Sequence, residues 1–341
     1  MMDAMATRRV RWYPAIGRPL FFALPPETAH RLATAMLALP LPWRRLGGAS
    51  NPDPSLATEL CGLPLRNAIG LAAGFDKTCR HLDALGELGF GYVVGGTVTR
   101  AARAGNPSPR IARSPRHRSM VNAMGLPNPG AEAVAATLRR PHRGPAPRFV
   151  SLADEGLADA VSALELLEPL VDGIELNASC PNVSWGRDRD NEAHLRELVD
   201  AFRAGTTKPL VVKLPPFVTD TEREVVLALA GVAVDAGADG LTCSNTRPVD
   251  DARLSVGRGG LSGRALWSHT PRIVAEMRAA VGDRPAIAAC GGVASATDVA
   301  TCLDAGATTV QIYSALIYEG PGVVGMLASG AGDREPVLRG R

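Results

Sequence analysis

From residue 67 onward the chain repeats one alternation, an apolar run of strand length followed by a helical pattern, eight times over about 270 residues. No other feature of the sequence restricts the fold as tightly. The predicted strands are 68-AIGLAAG-74, 92-YVVGGTV-98, 148-RFVSLA-153, 173-GIELNAS-179, 209-PLVVKL-214, 240-GLTCSN-245, 286-AIAACGG-292 and 308-TTVQIYS-314. Helical periodicity occupies 81–89, 130–140, 157–170, 192–205, 219–237, 269–282 and 295–306. Thr219 and Ser295 are placed to cap helix N-termini, and Gly89, Gly237 and Gly306 to stop helices. The strands are near-continuous apolar runs, as in sheets covered on both faces. Units of this number and length predict an α/β protein, a (β/α)8 TIM barrel. The rival is a doubly wound open sheet, which would want a glycine-rich phosphate turn after its first strand. Here that position reads 72-AAGFDK-77. The segment 58-TELCGLPLRN-67 predicts a short hairpin closing the lower end of the barrel. Three segments follow: a helical extension over 1–48, the barrel over 49–328 and a polar, disordered tail over 329–341.

Composition narrows the class. The chain is 46% hydrophobic and 21% charged, ordinary for a globular protein, and its net charge of +3 calls for no nucleic-acid partner. Its six cysteines show neither C-x-x-C spacing nor zinc-finger spacing with histidine, so no metal site and no disulfide framework are expected. That usage points to a reducing cytoplasm. The apolar stretches 19-PLFFALPP-26 and 32-LATAMLALPLPW-43 are broken by prolines and too short to span a bilayer. Arg8, Arg9, Arg11 and Arg18 sit beside Trp12, Tyr13, Phe21 and Phe22. Such a pattern suits a membrane surface or a cap packed on the main domain, and both readings stand.

In a barrel of this kind the C-terminal strand ends build the site. The first offers Asp76 and Lys77, the second Thr97 and Thr99, and the long loop after it holds 122-NAMGLPN-128. The fourth offers Asn177, Ser179, Cys180 and Asn182, the fifth Lys213, and the sixth Ser244, Asn245 and Thr246. Gly291 and Gly292 end the seventh, Tyr313 and Ser314 the eighth. No Ser-His-Asp set, carboxylate pair or metal cluster converges there. The set suits a planar heterocycle with many hydrogen-bonding edges and one proton-transfer group. The glycines of 290-CGGVAS-295 and 313-YSALIYEGPG-322 suit close backbone approach to a phosphate, or are simply turns. Cys61, Cys243, Cys290 and Cys302 read as core cysteines. From the residues alone, Cys180 reads either as a catalytic thiol or as a small buried hydrophobe beside a turn.

In order along the chain stand 70-GLAAGFDK-77, 95-GGTVT-99, 105-GNPSPRIAR-113, 122-NAMGLPN-128, 175-ELNASCPN-182, 211-VVKLPP-216, 244-SNT-246, 259-GGLSGRAL-266, 291-GG-292 and 310-VQIYSALIYEGPG-322. This series, from about residue 10 to 325, resembles the dihydroorotate dehydrogenase family. The resemblance implies FMN as cofactor, dihydroorotate as substrate, a role in pyrimidine synthesis and a quinone as final acceptor. It places Lys77, Asn122, Met124, Gly125, Leu126, Asn177, Asn182, Asn245 and Thr246 around the substrate. Ala73, Thr97, Ser151, Asn177, Lys213, Gly263, Gly292, Tyr313 and Ser314 fall around FMN. Cys180 falls where the family carries its base, which takes the C5 proton while a hydride leaves C6. A free thiol ionises near pH ~8.5, so the site must favour thiolate or couple its proton loss to hydride transfer.

The pattern is mixed between the family's two classes. The segment 17-GRPLFFALPPETAHRLATAML-37 resembles the quinone-feeding extension of the membrane-linked class, whose base is serine; 179-SCPNV-183 resembles the soluble class, whose base is cysteine. Val183 replaces the threonine expected after Asn182 in the serine class. In 151-SLADE-155, Ser151 replaces an asparagine, and Asp154 and Glu155 replace a Lys-Asn pair. Leu126 and Pro127 replace Phe and Asn over the substrate. The extension implies peripheral attachment on the cytoplasmic side of the membrane; without quinone the protein would be soluble and cytoplasmic. The departures leave two alternatives: an FMN oxidoreductase for another dihydropyrimidine-like ring, or a non-catalytic barrel.

Overall fold

The computed structural model of the protein describes residues 12–47, 56–178 and 191–328. Its strands are β1 (Thr58–Leu60), β2 (Leu63–Leu65), β3 (Ile69–Leu71), β4 (Tyr92–Val98), β5 (Ile111–Ser114), β6 (Ser119–Asn122), β7 (Arg148–Ala153), β8 (Gly173–Asn177), β9 (Leu210–Leu214), β10 (Gly240–Cys243), β11 (Arg247–Asp250), β12 (Arg258–Gly263), β13 (Ala286–Cys290) and β14 (Thr309–Ile312). Its helices are α1 (Arg18–Ala23), α2 (Pro26–Leu37), α3 (Trp43–Leu46), α4 (Leu82–Glu87), α5 (Ala131–Leu138), α6 (Leu157–Leu167), α7 (Asn191–Gly205), α8 (Asp220–Asp235), α9 (Thr270–Val281), α10 (Ala296–Asp304), α11 (Ser314–Glu319) and α12 (Val323–Ala328).

Eight parallel strands close a barrel in the order β3-β4-β7-β8-β9-β10-β13-β14, with β14 pairing back to β3. The expected (β/α)8 barrel is thus the observed fold. Its strands are the predicted apolar runs, trimmed at their ends. Every residue of β4, β8, β9, β10 and β14 is buried, because the outer faces lie under helices and the inner faces meet inside the barrel. Local signals set the helix ends. Thr219 accepts the Glu222 N–H and Ser295 the Asp298 N–H, each completing a reciprocal capping box. Gly89, Gly237 and Gly306 stand two residues past the ends of α4, α8 and α10, each at positive φ.

The hairpin β1-β2 closes the lower end, as its Gly-Leu-Pro centre predicts. Leu60 and Leu65 pack there with Tyr92, Val94, Phe149 and Val211. Tyr92 and Phe149 meet edge to face, ring centroids 5.7 Å apart, and the Tyr92 hydroxyl lies 3.0 Å from Thr309 Oγ1. The barrel therefore has a solid base.

Two insertions shape the upper end. The chain between β4 and β7 contributes β5 and β6, and that between β10 and β13 contributes β11 and β12. They join as an antiparallel sheet in the order β11-β12-β6-β5, with Asn122 in register with Gly260. The sequence reading missed this sheet, taking 122–128 as loop. Its strands are short and, apart from the buried β6, half-exposed, without the apolar runs that mark the barrel.

The N-terminal helices lie beside this sheet. Glu27 of α2 accepts hydrogen bonds from the Arg110 guanidinium at 2.7 Å, the Arg110 backbone N–H at 3.0 Å and the Ser108 hydroxyl at 3.0 Å. The Arg113 guanidinium stacks over Phe22, 4.5 Å from the ring centroid, and donates to the Phe21 carbonyl. Tyr13 donates to the Ile317 carbonyl of α11 at 3.1 Å, and Phe22 packs edge-on against Tyr318. Among the described residues no helix is long and apolar enough to cross a membrane.

Candidate active site

A cavity of about 970 Å³ opens at the C-terminal strand ends and continues between the N-terminal helices. Its inner end is polar. Asn177 closes β8 and donates from Nδ2 to Thr97 Oγ1 at 3.0 Å; Thr97 in turn lies 3.1 Å from Ser151 Oγ. Lys213 stands beside Asn177 in register on β9, almost wholly buried, its Nζ 3.8 Å from Glu175 Oε1. Gln311 reaches in from β14, its Nε2 3.4 Å from Glu175 Oε2, and Thr242 donates to that same oxygen at 3.1 Å. The Gln311 Oε1 atom is buried without a hydrogen-bond partner.

Around this floor the cavity is lined by Ala73, Lys77, Asn122, Met124, Gly125, Leu126, Asn245, Thr246, Gly263, Gly292, Tyr313 and Ser314. With Thr97, Asn177 and Lys213, fifteen residues expected to surround substrate or FMN share one cavity. Ser151 is different: it is fully buried and sits behind Thr97, off the cavity wall. Cys180 and Asn182 lie outside the described residues, as do Ser179, Val183 and the tail from 329.

Other polar residues at the strand ends serve the protein itself. Asp76 accepts from the backbone N–H groups of Thr78 and His81, so it shapes its own turn. Thr99 is tied to Ala101 and Asn128. Ser244 donates to the Cys290 carbonyl at 3.2 Å. Cys243 and Cys302 are buried, as expected, whereas Cys290 lines the cavity. The carboxylates of 151-SLADE-155 have partners of their own. Asp154 Oδ2 lies 2.7 Å from His194 Nε2 on the first turn of α7, and Glu155 pairs with Arg103. Neither carboxylate lines the cavity.

Backbone geometry explains two glycines. Gly263 has φ +87°, and a Cβ there would come within 2.4 Å of the Arg118 carbonyl; Gly292 has φ +74°, and a Cβ would come within 2.6 Å of the Trp267 N. Only glycine lets β12 and the turn after β13 pack this closely at the cavity wall.

Burial sets the charge states. It pushes the Lys77 ammonium down to about 8; nearby Asp76 works against that shift and Arg110 adds to it. The same desolvation, assisted by Lys77, pushes His30 down to about 4, so its imidazole is neutral near pH 7. Burial raises the Tyr313 phenol to about 12, which keeps it a donor.

The outer arm is apolar. Pro26, Ala29, Ala33, Met36, Leu37 and Leu46 line it from the helices, and Leu41 from the turn between α2 and α3. Phe75 divides the two ends, with His30 5.4 Å away on the helical side and Tyr313 6.0 Å away on the barrel side, both ring to ring.

Glu175, Gln311, Thr242 and His30 were absent from the sequence reading. The first three were visible only as polar residues inside apolar strand runs. His30 lay within a helix read as a cap.

Fold and cavity together define a (β/α)8-barrel protein with a ligand site at its strand ends. The comparisons narrow this. The family model described as dihydroorotate dehydrogenase matches residues 55–331. A protein of Sphingopyxis alaskensis named dihydroorotate dehydrogenase (quinone) is 38% identical over 331 residues, covering 93% of this chain and 91% of that protein. One of the same name from Rhodospirillum rubrum is 37% identical over 335 residues, covering 93% and 88%. The crystal structure of an Eimeria tenella DHODH in complex with ferulenol superposes with a TM-score of 0.78 at 28% identity, covering 89% of each chain. The chain belongs to the dihydroorotate dehydrogenase family.

Proposed function

We propose that this protein oxidises dihydroorotate to orotate, with FMN as hydride acceptor and a quinone as final acceptor. The observation that carries the proposal is the two-ended cavity, whose polar inner end and apolar outer arm form one continuous space. A charged heterocycle needs the first environment and a lipophilic quinone the second. The inner end also fits a flavin: the unpartnered Gln311 Oε1 and the buried Lys213 ammonium require the donors and acceptors of a polar ring. Thr97, Asn177, Lys213 and Gln311 would hold that ring, with Gly263, Gly292, Tyr313 and Ser314 along its wall.

In this reading Lys77, with Asn122 and Asn245, orients the substrate's carboxylate and ring. The Lys77 ammonium, already reluctant to stay charged, is stabilised when the carboxylate arrives. Cys180 takes the C5 proton as general base, a role carried by its position in 175-ELNASCPN-182. FMN, when bound, supplies the acceptor for the hydride leaving C6. Neutral His30 and Phe75 face the quinone arm, which excludes water from the path between the two ends.

The proposal extends to organisation: residues 1–48 form the quinone-facing extension, residues 49–328 the barrel. The extension rests peripherally on the cytoplasmic face of the membrane. Supporting this, eight of the ten exposed large hydrophobic residues among the described ones lie between Trp12 and Leu46.

The test is anaerobic addition of dihydroorotate to purified protein while following visible flavin absorbance. Bleaching, then recovery with a soluble quinone but not with fumarate or a nicotinamide, is expected. A flavin that stays oxidised would refute dihydroorotate as substrate and favour another dihydropyrimidine-like ring, chosen by Leu126 and Pro127.

A further inference from the structure

Glu175 is among the most thoroughly buried charged side chains described, at 1% exposure, and lies directly behind the cavity floor. Oε2 accepts from Thr242 and Gln311; Oε1 has no hydrogen-bond partner and faces Lys213 Nζ at 3.8 Å. Lys213 lines the cavity; Glu175 does not. A carboxylate inside a barrel is costly unless it is paired. A structural pair would be expected to close to hydrogen-bonding distance, and this one stops short of it. The geometry therefore leaves Lys213 shared between the carboxylate behind it and whatever ring lies in front.

We infer that Glu175 is a positioning residue that sets the reduction potential of the bound flavin by partly neutralising Lys213. The inference rests on the functional reading above. Oxidation of dihydroorotate releases two electrons and two protons: a hydride goes to the flavin and the C5 proton to Cys180. FMN held at this floor would gain one negative charge on accepting the hydride, and Lys213 would be the cation facing it. The Glu175 carboxylate behind Lys213 leaves only part of that residue's field for the charge in front. The flavin is then reduced less readily than beside a bare ammonium, and it passes its electrons onward more readily.

The experiment measures the two-electron midpoint potential of FMN-loaded protein and its FMN dissociation constant. Glu175→Gln keeps the shape and removes the charge. It should shift the reduced-to-oxidised ratio at fixed potential about tenfold toward reduced, a rise of roughly 30 mV. Glu175→Asp, which keeps the charge but withdraws it, should give a smaller rise and guards against a Gln variant that does not fold. The Glu175→Gln, Lys213→Met double variant should reverse the rise. A potential unchanged or lowered in the Gln and Asp variants, while wild-type flavin is still bleached by dihydroorotate, overturns this inference alone. Wild-type protein that binds no FMN overturns it together with the functional reading.

Discussion

The two ends of the cavity are built on opposite principles. The inner end hangs on a closed sheet: Thr97, Asn177 and Lys213 stand on the buried strands β4, β8 and β9, and Thr97 and Asn177 are joined side chain to side chain. The outer arm hangs on a few polar clamps, chiefly Glu27 with Arg110 and Arg113 with Phe22, while its helices expose Ile16 at 63% and Leu20 at 66%. Placement at the inner end is fixed by strand register. At the outer arm it is fixed by docking, which can loosen without unfolding the barrel. The comparison suggests a division of labour: ring chemistry where geometry is stiff, exchange with a lipophilic partner where it is adaptable.

The largest effect should come from removing the base. Cys180→Ala is expected to lower kcat by about 10²–10⁴-fold while FMN stays bound, as stopped-flow reduction of the flavin would measure. Normal turnover in that variant would take Cys180 out of the mechanism.

Next is a pH test of the inner end. Lys77 titrates near 8 when free, and a bound carboxylate raises that value. The protonated form therefore binds preferentially. Orotate affinity should be flat with respect to Lys77 below about pH 8, then weaken roughly tenfold per unit above it until the pKa of the complex is passed. Calorimetric titration across that range checks this; affinity that stays flat would separate Lys77 from the anion.

The outer arm should respond in only one half-reaction. Glu27→Ala removes the clamp on Arg110, at a cost of about 2 kcal/mol in cap docking. The Michaelis constant for quinone should rise several-fold, with flavin reduction by dihydroorotate unchanged. Equal loss in both half-reactions would break the comparison drawn above. The smallest effect on the protein itself is expected from Ile16→Asp with Leu20→Asp, surface changes within about 0.5 kcal/mol for stability. Retention on lipid vesicles should fall while turnover in detergent holds; unchanged retention would remove these residues from the membrane face.

Much of the inner end was legible because it is local. Strand ends are where apolar runs give way to polar residues, so Lys77, Asn177, Lys213 and Asn245 could be read one after another. The capping boxes at Thr219 and Ser295 were legible for the same reason. What escaped depends on distance. β6 and β12 pair residues 138 apart, Asn122 with Gly260, and neither strand is apolar enough to declare itself. Asp154 and Glu155 read as charge added beside the flavin, because their partners His194 and Arg103 lie far away in sequence. Asp76 and Thr99 read as ligand groups although their own turns consume them. Glu175 stayed hidden inside an apolar run, where alternation points it into the barrel.

The contacts that seat the first helices have a consequence for biosynthesis. Tyr13 docks on Ile317, a separation of 304 residues. At about 5–20 residues per second, ribosomal synthesis leaves the N-terminal helices without that partner for roughly 15–60 seconds. Their apolar face is the first part of the described chain to emerge and among the last to be seated. A nascent chain halted before α11 should therefore sediment with membranes or chaperones, whereas the completed chain carries its own cover for one side of those helices.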